Sequence, residues 1–375
     1  MRFKGEDVVD LTDIGAALDA LTEVDEELIE EIEPDEIEAG PDAQADGDAE
    51  PPIQPVATAV LTCDTVALAR KLHHADSSWL DELVISLNER KQVVLEGAPG
   101  TGKTYLVQQL LDACGVVEGQ STVVQFHPTY SYEDFVEGFR PVTTTDGSGA
   151  TLSVQPGPLK RLADEARNAP GKPFVLVIDE INRANIAKVF GELYFLLEYR
   201  KTDIELLYTA GDRFSLPDNL FIIGTMNTAD RSIALLDAAI RRRFVFLSMD
   251  TSSEPALAGV LARWCVDHER PPALATLRDQ LNAEMRKRGL EVSLAFGPSY
   301  FMRPGFNETA ALERLWRREL RPMLVEHHYG DHDKVDTWYP FMTWVSELGF
   351  ADEPTTDPGL SSGSAANGGL SVEPG

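Results

Sequence analysis

The sequence predicts an α/β fold in which a parallel sheet carries a phosphate-binding loop. Three observations support this prediction: strand patterns alternate with helix patterns, apolar runs end in polar residues, and one glycine-rich segment matches G-x-x-x-x-G-K-[ST]. Helices cover both faces of a parallel sheet, so its strands are apolar throughout and functional residues follow their carboxyl ends. A mainly helical region comes next along the chain, and we expect it to form a second, smaller subdomain.

The glycine-rich segment lies between the apolar run Val93–Leu95 and a predicted helix, Tyr105–Leu111. Its glycines let backbone N–H groups turn toward phosphate oxygens, and the helix N-terminus adds partial positive charge. In such a loop the lysine reaches the β- and γ-phosphates and the following hydroxyl holds Mg²⁺. A simple glycine-proline turn is the alternative, but it does not require eight matched positions. We therefore predict that ATP or GTP binds with Mg²⁺ at Gly97, Pro99, Gly100, Thr101, Gly102, Lys103, Thr104 and Tyr105.

A second predicted strand, Phe174–Ile178, is followed directly by Asp179 and Glu180. In P-loop enzymes an aspartate at the end of a strand completes the Mg²⁺ shell. A neighbouring carboxylate near the γ-phosphate polarises the attacking water, which is a general-base role. We therefore predict Asp179, together with Thr104, as a metal ligand and Glu180 as the catalytic general base.

The next apolar strand, Leu220–Asn227, also ends in a polar side chain. We expect the Asn227 amide to lie between the loop lysine and Glu180, where it would orient the water. Asp230 and Arg231 are predicted to support the same network. A polar turn that merely closes the strand is the alternative.

Arg241, Arg242 and Arg243 stand between a predicted helix, Ile233–Arg242, and a predicted strand, Phe244–Leu247. Three consecutive charges are costly to bury within their own subunit. An arginine that reaches the γ-phosphate of a neighbouring subunit would stabilise charge in the transition state. This role requires an oligomer, for which we expect a ring, and a solvated basic turn is the alternative.

Periodicity predicts the remaining elements. Helical patterning fills the stretch from Thr58 to Arg90. Further along, we expect a strand at Thr122–Phe126, hairpins over Val142–Val154 and Asp203–Ser215, helices over Gly157–Arg167 and Ile186–Tyr199, and helices near 254–269, 272–289, 308–327 and 336–348.

Composition excludes several classes of protein. No apolar stretch approaches the roughly 18 residues of a membrane span, and no basic start with an apolar segment indicates secretion. Cys63, Cys114 and Cys265 lack metal-ligand spacing, and we expect reduced thiols in a cytoplasmic protein. The net charge of −29 disfavours direct binding of duplex DNA, apart from a basic patch near Arg314–Arg321. His327 and His328 diverge on a helix, so we expect a polar helix end rather than a metal site.

Charge and composition also suggest domain limits. Residues 1–50 hold 19 acidic residues against Arg2 and Lys4, and we expect residues 1–57 to be a largely disordered acidic leader and linker. Leucine and isoleucine recur from Leu11 to Ile32 at helical spacing, which suits either a partner-docking helix or a transient one. We assign residues 58–249 to the nucleotide-binding domain, 250–350 to a helical lid and 351–375 to a disordered tail.

Several of these segments resemble one known family. The motifs IDEINRAN (178–185), FGEL (190–193) and MNTADRSIALLDAAIRRRF (226–244) resemble the AAA+ motors of the McrB type, which belong to modification-dependent restriction systems. HPTYSYEDF (127–135) and GPSYFM (297–302) resemble the same family. The resemblance implies a P-loop AAA+ core with a helical lid and hydrolysis at subunit interfaces of a ring, expected to be a hexamer. It also implies that Asn227 is the sensor, Glu180 the hydrolytic acid, and Arg242 or Arg243 the trans-acting finger.

The departures from that family leave the biological role open. Restriction members carry an N-terminal domain that reads modified DNA, and here an acidic leader stands in its place. No nuclease motif is evident, so we expect DNA contact through a partner, an McrC-like nuclease. Guanine preference belongs to the restriction members, whereas ATP is the commoner fuel of AAA+ proteins. Two alternatives are a MoxR-like chaperone that remodels a protein and a nucleotide-gated binding module with little hydrolysis.

Overall fold

A computed structural model describes residues 59–143, 150–209, 211, 213–230 and 238–350. The predictions for the acidic leader, its helix, the C-terminal tail and Arg231 lie outside the described residues. The first part of the described chain contains α1 (Thr65–Lys71), α2 (Ser78–Arg90), β1 (Gln92–Gly97), α3 (Lys103–Ala113), β2 (Ser121–Gln125), α4 (Tyr132–Phe135), β3 (Glu137–Thr143), β4 (Ala150–Pro156), α5 (Pro158–Asn168), β5 (Phe174–Asp179), α6 (Ile186–Phe190), α7 (Leu193–Leu196), β6 (Ile204–Glu205), β7 (Arg213–Phe214), β8 (Leu220–Asn227), α8 (Ala238–Arg243) and β9 (Val245–Ser248).

The second part is helical. Short 3₁₀ turns and one π-helical stretch, Trp316–Leu320, connect its helices. These helices are α9 (Val260–Asp267), α10 (Ala273–Lys287), α11 (Thr309–Leu315), α12 (Arg321–His327), α13 (Val335–Trp338) and α14 (Phe341–Glu347).

Within the described residues, parallel strands form a sheet of order β2-β5-β8-β1-β9. Its central strands are buried on both faces, as their continuous apolar sequences require. Along β1, Val94 packs into one hydrophobic cluster, whereas Val93 and Leu95 pack into another on the opposite face. This alternation follows from the two-residue period of a strand. The predicted parallel α/β fold is therefore confirmed.

The two predicted hairpins also form, as the antiparallel pairs β3–β4 and β6–β7. The side chain of Glu137, fully buried at the start of β3, joins them. Its carboxylate accepts hydrogen bonds from Lys160 Nζ at 2.6 Å and from the backbone N–H groups of Tyr208 and Thr209 at 3.1 and 3.0 Å. A buried charge needs such partners, so this carboxylate fixes the hairpins to one another.

The helical part has a hydrophobic core of its own. Leu281 of α10, Leu312 of α11 and Phe341 of α14 all belong to one buried cluster. The rings of Trp316 and Phe341 stack with their centroids 5.0 Å apart. Because this core is separate from the two clusters on the sheet, the helical part is built as a subdomain; the predicted boundary at residues 249–250 stays a prediction.

Glycine interrupts two helices that periodicity predicts as continuous. Over residues 186–199 the chain breaks at Gly191, which has φ +52° and faces the Tyr132 ring. Over residues 254–269 it breaks at Gly259, which has φ +72°. A left-handed residue cannot continue a right-handed helix, and glycine adopts that conformation at little cost.

Proline modifies two further helices. Within 308–327 the π-helical stretch ends just before Pro322, which has no N–H to donate to the preceding turn. Over 336–348 the helix is divided at Pro340. Of the helix predicted at Ile233–Arg242, residues 233–237 lie outside the described part, and α8 covers the rest.

The prediction of three reduced cysteines is wrong for two of them. Cys63 and Cys114 form a disulfide that joins the segment before α1 to the end of α3, with Cα atoms 4.3 Å apart. Fifty-one positions separate them along the chain, so only the tertiary fold reveals the pair. Cys265 is free and buried, and burial raises the pKa of its thiol to about 11.

The paired histidines lie at the end of α12, as predicted, where His328 is the C-cap residue. Its side chain is buried, with Nε2 2.8 Å from the Tyr339 hydroxyl and the ring edge-on to Trp338. Burial lowers the pKa of this imidazole. Across the described ranges, no helix combines the length and apolar character needed to cross a bilayer.

Candidate nucleotide-binding site

The phosphate loop runs from the end of β1 to the start of α3, as predicted. Gly100 and Gly102 have φ angles of +76° and +89°, in the left-handed region that L side chains avoid. Gly102 is the N-cap of α3, so the turn aims backbone N–H groups at the space in front of the helix. Glycine is therefore required at these positions by the backbone conformation.

The Lys103 ammonium group is partly buried against this loop. Its Nζ donates to the carbonyl oxygens of Gly97 at 2.8 Å and Ala98 at 3.0 Å. Burial lowers the pKa of Lys103 to about 8, although the negative charges of Glu180 and Asp179 act in the opposite direction. Both carboxylates therefore lie near the lysine.

Asp179 accepts hydrogen bonds from two hydroxyl groups. Thr104 Oγ1 donates to its Oδ1 at 3.0 Å, and Thr225 Oγ1 donates to the same atom at 2.6 Å. Thr225 Oγ1 also accepts the backbone N–H of Glu180 at 3.1 Å. One buried hydroxyl on β8 thus positions both Asp179, the last residue of β5, and Glu180, which follows it.

Glu180 has a conformation that few side chains adopt. Its φ of +53° and ψ of +48° are left-handed, which costs a residue other than glycine about 1 kcal/mol or more. Burial raises the pKa of its carboxyl group. The Nε of Arg183 lies 3.3 Å from Glu180 Oε2, and Arg183 Nη2 donates to Asp230 at 3.0 Å. Asp230 is therefore joined to Glu180 through Arg183.

Asn227 ends β8 next to the phosphate loop. It is paired in register with Gly97, and the following N–H, of Thr228, donates to the Gly97 carbonyl at 3.2 Å. The Asn227 side-chain oxygen accepts the N–H of Ala229 at 3.1 Å. The fold thus brings the amide to the edge of the sheet where Lys103 and Glu180 lie.

The arginines lie at the opposite edge. Arg243 ends α8 just before β9, and Val245 of β9 pairs with Val93 near the start of β1. The length of β1, about 16 Å, separates this edge from the phosphate loop. Arg242 and Arg243 both contact Glu198, but 67% of the Arg242 side chain is exposed against 11% for Arg243. The guanidinium of Arg243 also stacks on Tyr194.

A cavity of about 630 Å³ opens beside the loop residues Gly100–Gly102. Tyr105 of α3 lines one side of it, and Trp264 and His268 of α9 line another, with their rings stacked at 4.4 Å. His73 completes the wall from the end of α1. Flat aromatic side chains next to a phosphate loop suit a nucleobase.

Sequence reasoning missed two residues of this site. Thr225 stands two positions before Asn227 in an otherwise apolar strand, so the period of two already places both on one face. Arg183 follows Glu180 by three positions in the sequence, and only the structure shows that it also contacts Asp230. The contacts themselves depend on the pairing of β5 with β8.

Comparison with known families agrees with this architecture. Residues 92–244 match the AAA domain of the dynein-related subfamily, and residues 273–336 match the α-helical lid domain of McrB. The chain belongs to the McrB-type AAA+ P-loop NTPases. Its sheet and phosphate loop are the AAA+ core, and α10–α12 lie within the lid match.

Individual relatives include restriction components. The chain is 33% identical over 275 residues to the type IV methyl-directed restriction enzyme EcoKMcrB subunit of Escherichia coli K12. This alignment covers 69% of this chain and 58% of that protein. The chain is 28% identical over 245 residues to the type II restriction enzyme BsuMI component YdiS of Bacillus subtilis 168. This second alignment covers 55% of this chain and 71% of that protein. The aligned region thus spans little more than half of the EcoKMcrB subunit.

Proposed function

We propose that this AAA+ chain hydrolyses ATP or GTP with Mg²⁺ and that it does so at the interfaces of a ring. One observation carries the hydrolysis proposal: Lys103, Thr104, Asp179 and Glu180 converge at one edge of the sheet. A loop for phosphates, ligands for a metal and a general base are the three components that phosphoryl transfer to water requires.

The residues present fit Mg²⁺. The Thr104 hydroxyl and an Asp179 carboxylate oxygen lie 3.0 Å apart, and Mg²⁺ in nucleotide sites is held by one or two carboxylates together with phosphates and water. When bound, the ion would neutralise charge that develops on the phosphate oxygens. Thr225 keeps the Asp179 carboxylate oriented for this role.

Glu180 is the proposed general base. A raised pKa makes its carboxylate a better proton acceptor from water, while the positive charge of Arg183 acts in the opposite direction and favours the ionised form. Its left-handed backbone turns the chain away from the line of β5 immediately after Asp179. Lys103 and the loop N–H groups would stabilise the phosphate charge.

We assign the trans-acting finger to Arg242. The length of β1 keeps both arginines from the phosphates of their own chain, so a catalytic role for either requires a second copy. Arg242 is the exposed member of the pair, whereas Arg243 is held between Glu198 and Tyr194. A ring of copies, expected to be a hexamer, would give each site such a finger.

The nucleobase would occupy the cavity lined by Tyr105 and Trp264. The polar groups of this cavity include the side chains of His73 and His268, and the Nδ1 of His73 lies 2.9 Å from an Asp267 carboxylate oxygen. Adenine and guanine both stack on aromatic rings, so the choice between ATP and GTP depends on these polar groups.

For the biological role we propose a motor that drives a partner nuclease in a restriction system. Two relatives have names that describe restriction-enzyme components, and this supports the proposal. DNA would then be contacted through an McrC-like partner. The identity of the protein that co-purifies with the chain tests this role: a nuclease supports it, and a remodelled metal-binding protein would instead favour a MoxR-like chaperone.

Hydrolysis itself is tested by Glu180→Gln. Removing the general base should lower steady-state phosphate release by about 10²-fold or more, with nucleotide affinity retained. The measurement uses purified chain with Mg²⁺ and either ATP or GTP. Unchanged turnover in the variant would refute the role of Glu180, and no turnover in the wild-type chain would favour a binding module.

A further inference from the structure

We propose that residues Phe296–Tyr300 of the lid form a backbone clamp that holds the phosphate loop in its binding shape. The inference rests on the proposed nucleotide site, and it adds positioning residues that lie more than 170 positions from the loop in sequence. It concerns the segment that follows α10 and includes the 3₁₀ turn Pro298–Tyr300.

Two hydrogen bonds join the clamp to the loop. The N–H of Gly297 donates to the carbonyl of Pro99 at 3.0 Å, and the N–H of Ser299 donates to the carbonyl of Gly100 at 3.0 Å. Both acceptors belong to the tip of the phosphate loop. Because they are backbone groups, the clamp orients the peptide planes whose N–H groups face the phosphates.

The contact is closer than any side chain at position 297 would permit. A Cβ added to Gly297 would lie 2.2 Å from the carbonyl carbon of Gly100 and 2.5 Å from the nitrogen of Thr101. Those atoms are backbone and cannot move aside without moving the loop. Gly297 has no positive φ, so the close approach, and not backbone conformation, requires glycine here.

A side chain of the lid covers the other face of the same loop residue. A Cβ on Gly100 would come within 2.8 Å of the Tyr300 ring and 2.9 Å of Ser299 Oγ. The Tyr300 ring packs edge-on to Phe296 at 5.3 Å and its hydroxyl reaches Met323 Sδ at 3.6 Å. The clamp is therefore supported from within the lid core.

Asn282 of α10 fixes the clamp to the lid. Its Nδ2 donates to the carbonyl of Phe296 at 3.0 Å, and its Oδ1 accepts the N–H of Phe296 at 2.8 Å. One buried amide thus satisfies both backbone groups of the residue that precedes Gly297. A rotation of α10 would be transmitted through Phe296 to the tip of the phosphate loop.

The clamp also separates two cavities beside the loop. Pro298 and Ser299 line the cavity assigned to the nucleobase, whereas Gly297 and Phe296 line a more polar cavity of about 500 Å³. Thr101 of the loop borders both. A nucleotide that fills the first cavity would therefore contact the clamp directly, and this contact would couple lid position to nucleotide binding.

Gly297→Ala tests the clamp, with Gly171→Ala as the matched control. An added methyl group at position 171 meets nothing within 4 Å, and that glycine has no positive φ. We expect Gly297→Ala to lower kcat/KM for the hydrolysed nucleotide by about 10²-fold, because misplacing binding groups by about 1 Å has that effect. The control should match the wild-type chain in activity, and both variants should retain the helix content of the wild-type chain by circular dichroism.

Asn282→Asp provides a second variant that adds no volume. It keeps the acceptor for the Phe296 N–H but loses the donor to the Phe296 carbonyl, and we expect about a tenfold rise in KM with a smaller change in kcat. Equal kcat and KM in folded Gly297→Ala, Asn282→Asp and wild-type chains would overturn the clamp.

Hydrogen exchange of the phosphate-loop peptide, measured without nucleotide, tests the clamp independently of the proposed hydrolysis. We expect the amides of residues 97–103 to exchange faster in Gly297→Ala than in Gly171→Ala. If the wild-type chain hydrolyses no nucleotide but this difference appears, the proposed function fails and the clamp stands. Identical exchange in the two variants would overturn the clamp even where hydrolysis is measured.

Discussion

Charged side chains have different surroundings at the carboxyl edge of the sheet, where the strands end, and at the amino edge, where they begin. At the carboxyl edge, Lys103 has a pKa lowered to about 8 and Glu180 has a raised pKa, so burial acts against the charged form of each group. At the amino edge, Arg242 and Arg243 share a contact with Glu198, and Arg242 stays largely exposed. One edge thus holds groups whose charges lack full compensation, and the other holds cations already paired.

This difference distinguishes a site that would bind a ligand within its own chain from a surface arginine that is available to a neighbouring copy. Groups at the carboxyl edge would gain from an anionic ligand with a metal ion, because each is partly desolvated without a complete set of partners. An exposed arginine paired with a surface carboxylate is held only weakly, by about 1 kcal/mol or less. Arg242 can therefore leave Glu198 for a stronger anion, such as a phosphate of a neighbouring copy.

The largest effect is expected at the amino edge. Arg242→Ala should lower turnover by about 10³-fold at saturating nucleotide, because an arginine finger contributes at least this much to phosphoryl transfer. Nucleotide affinity should change little, since the finger acts on a neighbouring site. Phosphate release and equilibrium binding of a fluorescent nucleotide measure the two quantities.

Arg243→Ala is the matched control for this prediction. Its loss should lower the free energy of unfolding by about 1–2 kcal/mol, because Arg243 bonds to Glu198 and stacks on Tyr194. Mixtures of Arg242→Ala with Lys103→Ala chains should recover activity, since one supplies an intact loop and the other an intact finger. A greater loss of turnover in Arg243→Ala than in Arg242→Ala would reverse the assignment.

A smaller effect is expected at the carboxyl edge from Thr225→Val, which keeps the shape of the side chain and removes the hydroxyl. The Glu180 N–H loses its acceptor and Asp179 loses one donor, at a cost of about 2 kcal/mol, or about 30-fold in turnover. The required Mg²⁺ concentration should rise as well. Thr122→Val, on β2 away from the site, is the control, and equal Mg²⁺ dependence in both variants would contradict the role of Thr225.

The smallest effect is a pH dependence of nucleotide binding. Phosphates favour protonated Lys103, whose pKa is about 8, so affinity should be full below this pH and should fall above it. The decrease is at most about tenfold between pH 7 and pH 9. Titration of a fluorescent nucleotide at each pH measures it. Lys103→Arg should bind with no such dependence, because arginine stays charged, and a constant wild-type affinity would contradict the role of burial.

Sequence reasoning located most of the carboxyl edge because its signals are local. The glycine spacing, the acidic pair at the end of β5 and the amide that ends β8 can each be recognised within a few residues. The parallel fold then brings strand ends together. Reasoning failed where contacts join distant segments: the Cys63–Cys114 disulfide, the Thr225 bridge and the contact of Gly297 with the loop all depend on pairing or packing.

The helices also show what the sequence predicts well and what it does not: their presence is predicted better than their ends. Periodicity found most of the helical regions, but it extended them through Gly191, Gly259 and Pro340. The apolar pattern continues across Gly191 and Pro340 because the chain on either side of each packs on one core. Gly259, in contrast, separates Leu257 in a core of the sheet from Leu261 in the core of the helical part. Local conformation therefore overrides an apolar period wherever glycine or proline permits or requires a break.

By itself, the sequence determined the class of fold, the phosphate loop and the acids that follow the strands, because strand period, glycine conformation and charge act over short distances. Only the tertiary structure decided which arginine is exposed, which hydroxyl orients the acids and how the lid grips the loop. Those properties arise from side chains and backbone groups that meet across more than 40 positions of the chain, and no local pattern specifies such a meeting.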